Sequence, residues 1–302
     1  MSASKFDGCV FEMEHQPWDG KAPFTGDIHS MITSHLTKPP PRVSEMTTGL
    51  PPAVDSVSDK AMAKEPAERY ATTEDFVPAW KAVPVPDGVG MDVAAAVMVQ
   101  GMTAHFLSHD AYAIAEGDTV LVHAVAGGVG LLLTQLAKKR GATVIGTCSS
   151  EEKAALAKAA GADHVVLYTE TDFLHAVREL TDQRGVAAVY DSVGRSTFDR
   201  SLACLRPRGC LLLFGQSSGP VAPVDPQSLA RQGSVYLTRP SLTHYMRDVR
   251  ETRARAGALF SWLHDGELDV RIHGTMPLER AADAHALLES RRTSGKVLLQ
   301  VA

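Results

Sequence analysis

Residues 119–141, TVLVHAVAGGVGLLLTQLAKKRG, constrain the fold of this chain more than any other stretch. A short β-rich run at 119–123 meets a glycine loop. A helical pattern follows, with Val129, Leu132, Leu133 and Leu136 recurring on one face. The pattern ends in Lys138-Lys139-Arg140, cations that complement the negative end of a helix dipole, and stops at Gly141. A strand that turns sharply into a helix is the first half of a crossover, so the next strand is expected to lie parallel to it.

The chain keeps that rhythm. Spacing predicts further strands at 143–147, 164–167, 186–190, 211–214 and 235–238, with helices at 151–160 and 173–180. The expected fold class is α/β, a doubly wound parallel sheet of six or more strands. Two amphipathic segments, 249–264 and 278–289, surround a short extended piece at 270–272, and 296–301 reads as a closing strand. Residues 1–69 have another texture: eight of the 17 prolines fall there, including Pro39-Pro40-Pro41 and Pro51-Pro52, and neither periodicity is sustained. This part is expected to be irregular, with Phe11, Trp18 and Phe24 available to pack against a neighbour.

Composition narrows the function classes. With 44% apolar and 22% charged residues over 302 positions, the chain can bury a large core, and a formal charge of −5 offers no basic field to nucleic acid or an anionic membrane. Cys9, Cys148, Cys204 and Cys210 have no metal-ligand or redox-pair spacing. No secretory leader opens the chain and no apolar run approaches the ~18 to 20 residues that span a bilayer, so the cytosol is the expected compartment.

The glycine loop, Ala124-Val125-Ala126-Gly127-Gly128-Val129-Gly130, is where chemistry is expected. Glycines let a pyrophosphate approach the main chain, and the unpaired N–H groups of a helix start point at the anion. Gly127 and Gly130 sit where that geometry needs them, in an AxxGxxG pattern rather than the full GxGxxG, with Val125 at the first glycine position. Tight strand–helix packing without a ligand also accounts for the glycines. A second strand ends about 20 residues on, where such folds read the adenosine ribose. In place of an acid for the ribose 2′-hydroxyl, Thr147-Cys148-Ser149-Ser150 leads into Glu151-Glu152-Lys153, hydroxyls and a cation suited to a 2′-phosphate. NADPH is therefore the expected cofactor. Residues 149–152 also spell a Ser-x-x-Glu capping box, a role compatible with the first.

Together these residues and motifs resemble a known family. DTVLVHAVAGGVG at 118–130, YDSVG at 190–194, FGQSSG at 214–219 and LTRPS at 237–241 are similar to the NADPH:quinone oxidoreductases of the zinc-independent medium-chain dehydrogenase/reductase superfamily, and VQGMTAH at 99–105 and PVPDG at 84–88 match as well. The resemblance spans residues 70–302. It implies a Rossmann domain at 102–245, an incomplete GroES-like flanking domain whose remnant is 70–101, a C-terminal segment at 246–302 returning to it, and a divergent segment at 1–69. It further implies that Gly128 and Val129 lie along the pyrophosphate, that Ser149 and Lys153 meet the 2′-phosphate, and that Tyr168 lies against adenine. Val193 and the turn Ser217, Ser218, Gly219 would line the nicotinamide side, Arg291 would close over the cofactor, and Phe106 would stand near the same site.

Plainer readings stand beside these: Tyr168 as a half-buried aromatic after a strand, and 217–219 as ordinary turn chemistry. Asp191 reads as a strand-end or turn acid, and His105 and His123 as packed or hydrogen-bonded histidines; none of the three is expected to be catalytic. The family implies hydride delivery from NADPH to a small-molecule quinone or α,β-unsaturated carbonyl without metal, and a homodimer through residues 235–238. The Gly-His-Glu motif and four-cysteine lobe of the zinc-using cousins are absent from the sequence. Residues 1–69 do not resemble the family's leading barrel, which leaves a divergent reading frame, a rebuilt acceptor site or a non-enzymatic NADPH-binding relic open. A methyltransferase on the same fold would require an acid ending the second strand.

Overall fold

The computed structural model describes residues 83–247 and 249–301, and those from Val85 onward belong to one compact unit. The expectations for residues 1–69 and for the first part of 70–101 lie outside the described residues.

A helix, α1 (Met91–Phe106), leads through a π-helical turn at Leu107–Ala111 to the first strand. The crossovers then follow in turn: β1 (Thr119–Val122), α2 (Gly128–Lys139), β2 (Thr143–Cys148), α3 (Glu151–Ala159), β3 (His164–Leu167) and α4 (Phe173–Leu180). They continue with β4 (Val186–Asp191), α5 (Phe198–Ala203), β5 (Leu205–Leu213), α6 (Pro226–Arg231) and β6 (Tyr236–Thr238). All six strands form one parallel sheet in the order β3-β2-β1-β4-β5-β6. The chain winds outward from β1 to β3, then returns to the far side of β1 and winds the other way. After a 3₁₀ turn at Leu242–Tyr245 come α7 (Val249–His264), β7 (Ile272–Pro277), α8 (Ala281–Glu289) and β8 (Lys296–Gln300), with β7 and β8 pairing in parallel as a separate two-stranded sheet.

A parallel sheet covered by helices on both faces buries both sets of side chains, which is why its strands read as apolar runs rather than alternations. All six residues of β4 are buried, and Leu121, Ile145, Val189 and Leu211 lie in register across four strands. On one face Phe173, Val177, Phe198 and Leu202 of α4 and α5 complete the core, each large side chain contributing about 1.5–3 kcal/mol by leaving water. Leu132, Leu133 and Leu136 bury the inner stripe of α2.

Three of the expected elements differ from the sequence reading by more than one residue. Strand β5 starts at Leu205, because Leu205 pairs with Val186 ahead of a bulge, although exposed Arg206, Pro207 and Arg208 interrupt its apolar run. The extended piece expected at 270–272 is the longer strand β7, whose period-2 burial is carried by Ile272, Gly274 and Met276, too few large apolar residues to read as a strand. The last amphipathic segment begins as a 3₁₀ turn, Leu278–Arg280, directly after Pro277, and becomes α-helical only at Ala281.

Candidate cofactor groove

The strand order reverses between β1 and β4, and open α/β sheets take their ligands in the crevice outside the carboxyl ends of the strands at such a switch point. The residues singled out in the sequence sit on that edge. Gly127, Gly128, Val129 and Gly130 follow β1, Ser149 and Lys153 follow β2, and Tyr168 follows β3. Val193 follows β4, and Ser217, Ser218 and Gly219 follow β5.

The loop after β1 is drawn tight by Ala124, whose φ of 50° is left-handed, and by bonds from Gly127 N–H to Ala124 O (2.9 Å) and from Val125 N–H to Thr147 O (3.1 Å). A Cβ on Gly130 would stand 2.5 Å from Ala124 O and 2.6 Å from Val125 O, so close backbone approach alone requires glycine there. At Gly128 the crowding neighbour is the flexible Gln100 amide of α1. Gly127 is the N-cap of α2 and has no side chain to cap it; the N–H groups of Gly128, Val129 and Gly130 find no acceptor among the described residues. Gly127, Gly128 and Val129 are part-exposed. Uncapped donors around side-chain-free main chain suit a diphosphate, to which a helix N-terminus adds its dipole.

At the β2 end one expectation is corrected. The N-cap of α3 is Ser150, whose Oγ accepts from Lys153 N–H at 3.4 Å, so the capping box read at 149–152 does not form. Ser149 lies outside the cap. The Lys153 Nζ donates to Arg291 O at 2.6 Å, and Arg291 Nη2 donates to Ser217 O at 3.2 Å. The turn after α8 thereby touches the segments that follow β2 and β5, and a bridge between Gly127 and Gly295 ties the same segment to the loop after β1. Tyr168, just after β3, is 51% exposed, an unburied aromatic ring on the same edge. Burial raises the Cys148 thiol above its ordinary value.

At the other end Asp191, fully buried, closes β4. Its Oδ1 accepts from Val193 N–H (2.8 Å) and Gly194 N–H (3.0 Å), and its Oδ2 from Ser201 Oγ (2.8 Å) and Thr197 Oγ1 (2.8 Å). Val193 O accepts in turn from Ser218 N–H (2.8 Å) and Ser218 Oγ (2.7 Å). His123, just beyond β1, has Nδ1 2.9 Å from Thr147 Oγ1 and Nε2 3.0 Å from Ser201 Oγ. Burial lowers its pKa to about 4, so the ring is neutral. Because Ser201 gives its proton to Asp191, it accepts from Nε2–H, and Nδ1 accepts from Thr147. His105 is likewise packed: it stacks on His109 and Trp262, and burial lowers its pKa to about 4.

Phe106, expected near the same site, is buried at the end of α1. Its ring is 1% exposed and stacked on Tyr245 at 4.4 Å. The sequence reading missed Gln100 against Gly128, the Gly127–Gly295 bridge and the Thr147–His123–Ser201 chain. Gln100 lies inside the VQGMTAH motif at 99–105, whereas Ser201 gives no signal before the fold brings it 78 positions back to His123.

A family profile described as zinc-binding dehydrogenase matches residues 128–254. Quinone oxidoreductase from Pseudomonas aeruginosa is 43% identical over 219 residues, covering 72% of this chain and 67% of that protein. Quinone oxidoreductase 1 from Escherichia coli is 37% identical over 283 residues, covering 90% of this chain and 86% of the relative. The chain belongs to the zinc-independent quinone oxidoreductase family of the medium-chain dehydrogenases/reductases. The 2-haloacrylate reductase from Burkholderia, 41% identical over 229 residues (75% of this chain, 69% of that one), is a further relative of this family member.

Among solved structures, an Escherichia coli quinone oxidoreductase complexed with NADPH superimposes with a TM-score of 0.70 at 41% identity, covering 72% of this chain and 67% of that one. A mycobacterial protein complexed with NADPH gives 0.70 at 53% identity and covers 72% and 66%. These structural matches span about two thirds of each neighbour's length. No helix among the described residues is long and apolar enough to cross a membrane.

Proposed function

We propose that this chain binds NADPH along the carboxyl edge of its sheet and transfers hydride to a quinone or a related α,β-unsaturated carbonyl. The observation that carries the reading is the uncapped start of α2, three N–H groups without an acceptor among the described residues beside glycine main chain, with Lys153 at the neighbouring strand end. The chain is an NADPH-dependent oxidoreductase; its relatives' names, quinone oxidoreductase and 2-haloacrylate reductase, favour an electron-poor conjugated acceptor.

In this reading the N–H groups of Gly128, Val129 and Gly130 bind the diphosphate, Lys153 and Ser149 bind the 2′-phosphate, and Tyr168 stacks on adenine. Val193 and the 217–219 turn orient the nicotinamide, and Arg291 closes over the cofactor from the returning C-terminal segment. NADPH, when bound, supplies the hydride; the protein's part is to align donor and acceptor and exclude water. Residues 102–245 are the cofactor domain, with 246–302 returning to the flanking one. The outer edge of β6, where Tyr236 is 65% exposed, is the proposed homodimer contact, in a cytosolic protein.

The test is NADPH oxidation followed by absorbance against a panel of small quinones and enones, beside a binding titration. Turnover with at least one acceptor is expected. Saturable NADPH binding without turnover on any of them would replace the enzyme by a binding protein.

A further inference from the structure

The buried hydrogen-bond system behind the groove does more than close a strand. The turn at Val193 and Gly194 and the turn at 216–219 pack as one piece. A Cβ on Gly194, whose φ is +87°, would meet Gly219 O at 2.9 Å, Arg195 N–H bonds Gly219 O at 3.2 Å, and Ser218 bonds Val193 O twice. Asp191 is the root of that double turn. Its carboxylate takes both N–H groups of the first turn on one oxygen and two hydroxyls of the α5 region on the other. It is 0% exposed, and no ion pair among the described residues involves it.

The chain Thr147–His123–Ser201 then fixes which donor Ser201 offers, because the only arrangement that satisfies every partner runs from Thr147 O–H to Nδ1, from Nε2–H to Ser201, and from Ser201 O–H to Asp191.

We infer that Asp191 is a positioning residue for hydride transfer: it sets the double turn that orients the nicotinamide, while leaving phosphate recognition at the other end of the groove untouched. This rests on the NADPH reading above. The mechanism follows from the hydrogen-bond count. Without the carboxylate, Val193 and Gly194 lose their acceptor, the turn relaxes, and the reacting carbon is held less well; a misplacement of that kind costs rate rather than affinity.

The experiment compares the full-length wild type with Asp191→Ala and Asp191→Asn, measuring kcat, the KM for NADPH and the affinity for 2′,5′-ADP, which carries the 2′-phosphate but no nicotinamide. Asp191→Ala is expected to lower kcat by about tenfold or more while KM and 2′,5′-ADP affinity stay within about threefold. Asp191→Asn is expected to recover kcat to within about threefold, since its carbonyl still accepts from Val193 and Gly194. Its amide would then donate to Ser201, turn that hydroxyl toward Nε2, and move the His123 proton to Nδ1, seen as an exchange of the two imidazole ¹⁵N shifts.

A kcat for Asp191→Ala within about twofold of wild type overturns the proposal, as does a matching loss of 2′,5′-ADP affinity, which marks a global structural role. Should Asp191→Ala fail to fold, Asp191→Ser, whose shorter side chain no longer reaches the Val193 and Gly194 N–H groups but keeps a polar group in the site, decides instead: kcat down at unchanged 2′,5′-ADP affinity supports the role, and unchanged kcat rejects it. A wild-type chain that binds neither NADPH nor 2′,5′-ADP overturns the cofactor reading and this proposal together, whereas normal wild-type binding with an unaffected variant overturns this one alone.

Discussion

At Gly146 in β2 an added Cβ would stand 2.7 Å from both methyls of Val125, and at Gly130 it would stand 2.5 Å from a backbone oxygen, whereas at Gly274 in β7 it would meet nothing within 4 Å. The six-stranded sheet and the β7–β8 pair thus use the same residue for different ends. In the sheet, glycine marks where the loop after β1 is pressed against its own backbone and against β2. In the C-terminal pair the strands alternate in burial along β7 and stay half open. The cofactor half is built by close packing that tolerates little change. Among the described glycines of the C-terminal half only Gly295 is closely packed, where a Cβ would collide with Arg271 O, and this half meets the first through the Lys153–Arg291 bond and the Gly127–Gly295 bridge.

The largest effect that separates the two halves is expected at Gly130→Ala. The new methyl meets backbone oxygens that cannot swing aside, so a destabilisation of about 1–3 kcal/mol is expected in denaturant melts, together with weakened NADPH binding in titration. Wild-type stability in that variant would remove the packing argument for the loop.

Next comes Lys153→Ala, where the halves touch. Loss of a charge-assisted phosphate contact is expected to cost NADPH about 1–3 kcal/mol of affinity and to leave NADH nearly unchanged, read by parallel calorimetric titrations. Equal weakening of both cofactors would assign Lys153 to holding Arg291 rather than to phosphate.

Acid titration comes third. His123 is buried and neutral, with its folded pKa at about 4, below the ordinary 6.5. The unfolded chain therefore binds the proton first, so stability is whole above pH 6.5 and falls as pH drops from there toward 4. Its slope from this one group approaches about 1.4 kcal/mol per pH unit. His105, also near 4, steepens the same window. Melting midpoints measured across that range in His123→Gln should lose part of the slope; an unchanged slope would contradict the assignment. The smallest effect is expected for Gly274→Ala, within about 0.5 kcal/mol of wild type in the same melts. A large loss there would erase the contrast between the two sheets.

How much of this was legible in the sequence follows the same division. Strand β3 and helix α4 have the bounds read from periodicity, and β1, α2 and β2 agree to within a residue, because buried parallel strands and capped helices leave apolar runs and punctuation. Strand β7 hid because His273, Gly274 and Thr275 carry no apolar signal, and the start of β5 hid behind Arg206, Pro207 and Arg208. The glycine loop and Lys153 were readable as local patterns. The hydrogen bonds that join Thr147, His123, Ser201 and Asp191 were not, since each joins residues from different elements and depends on strand order. Asp191 at a strand end and His105 and His123 as packed, hydrogen-bonded rings match the plain sequence reading, but the groups that Asp191 holds come from residues two to ten positions on and carry no pattern of their own.

The most direct measurement is a calorimetric titration of the full chain with NADPH and with NADH. The account predicts saturable NADPH binding at one site, displaced by 2′,5′-ADP, with NADH at least about tenfold weaker. Heat of dilution alone for both nucleotides at millimolar levels would contradict it.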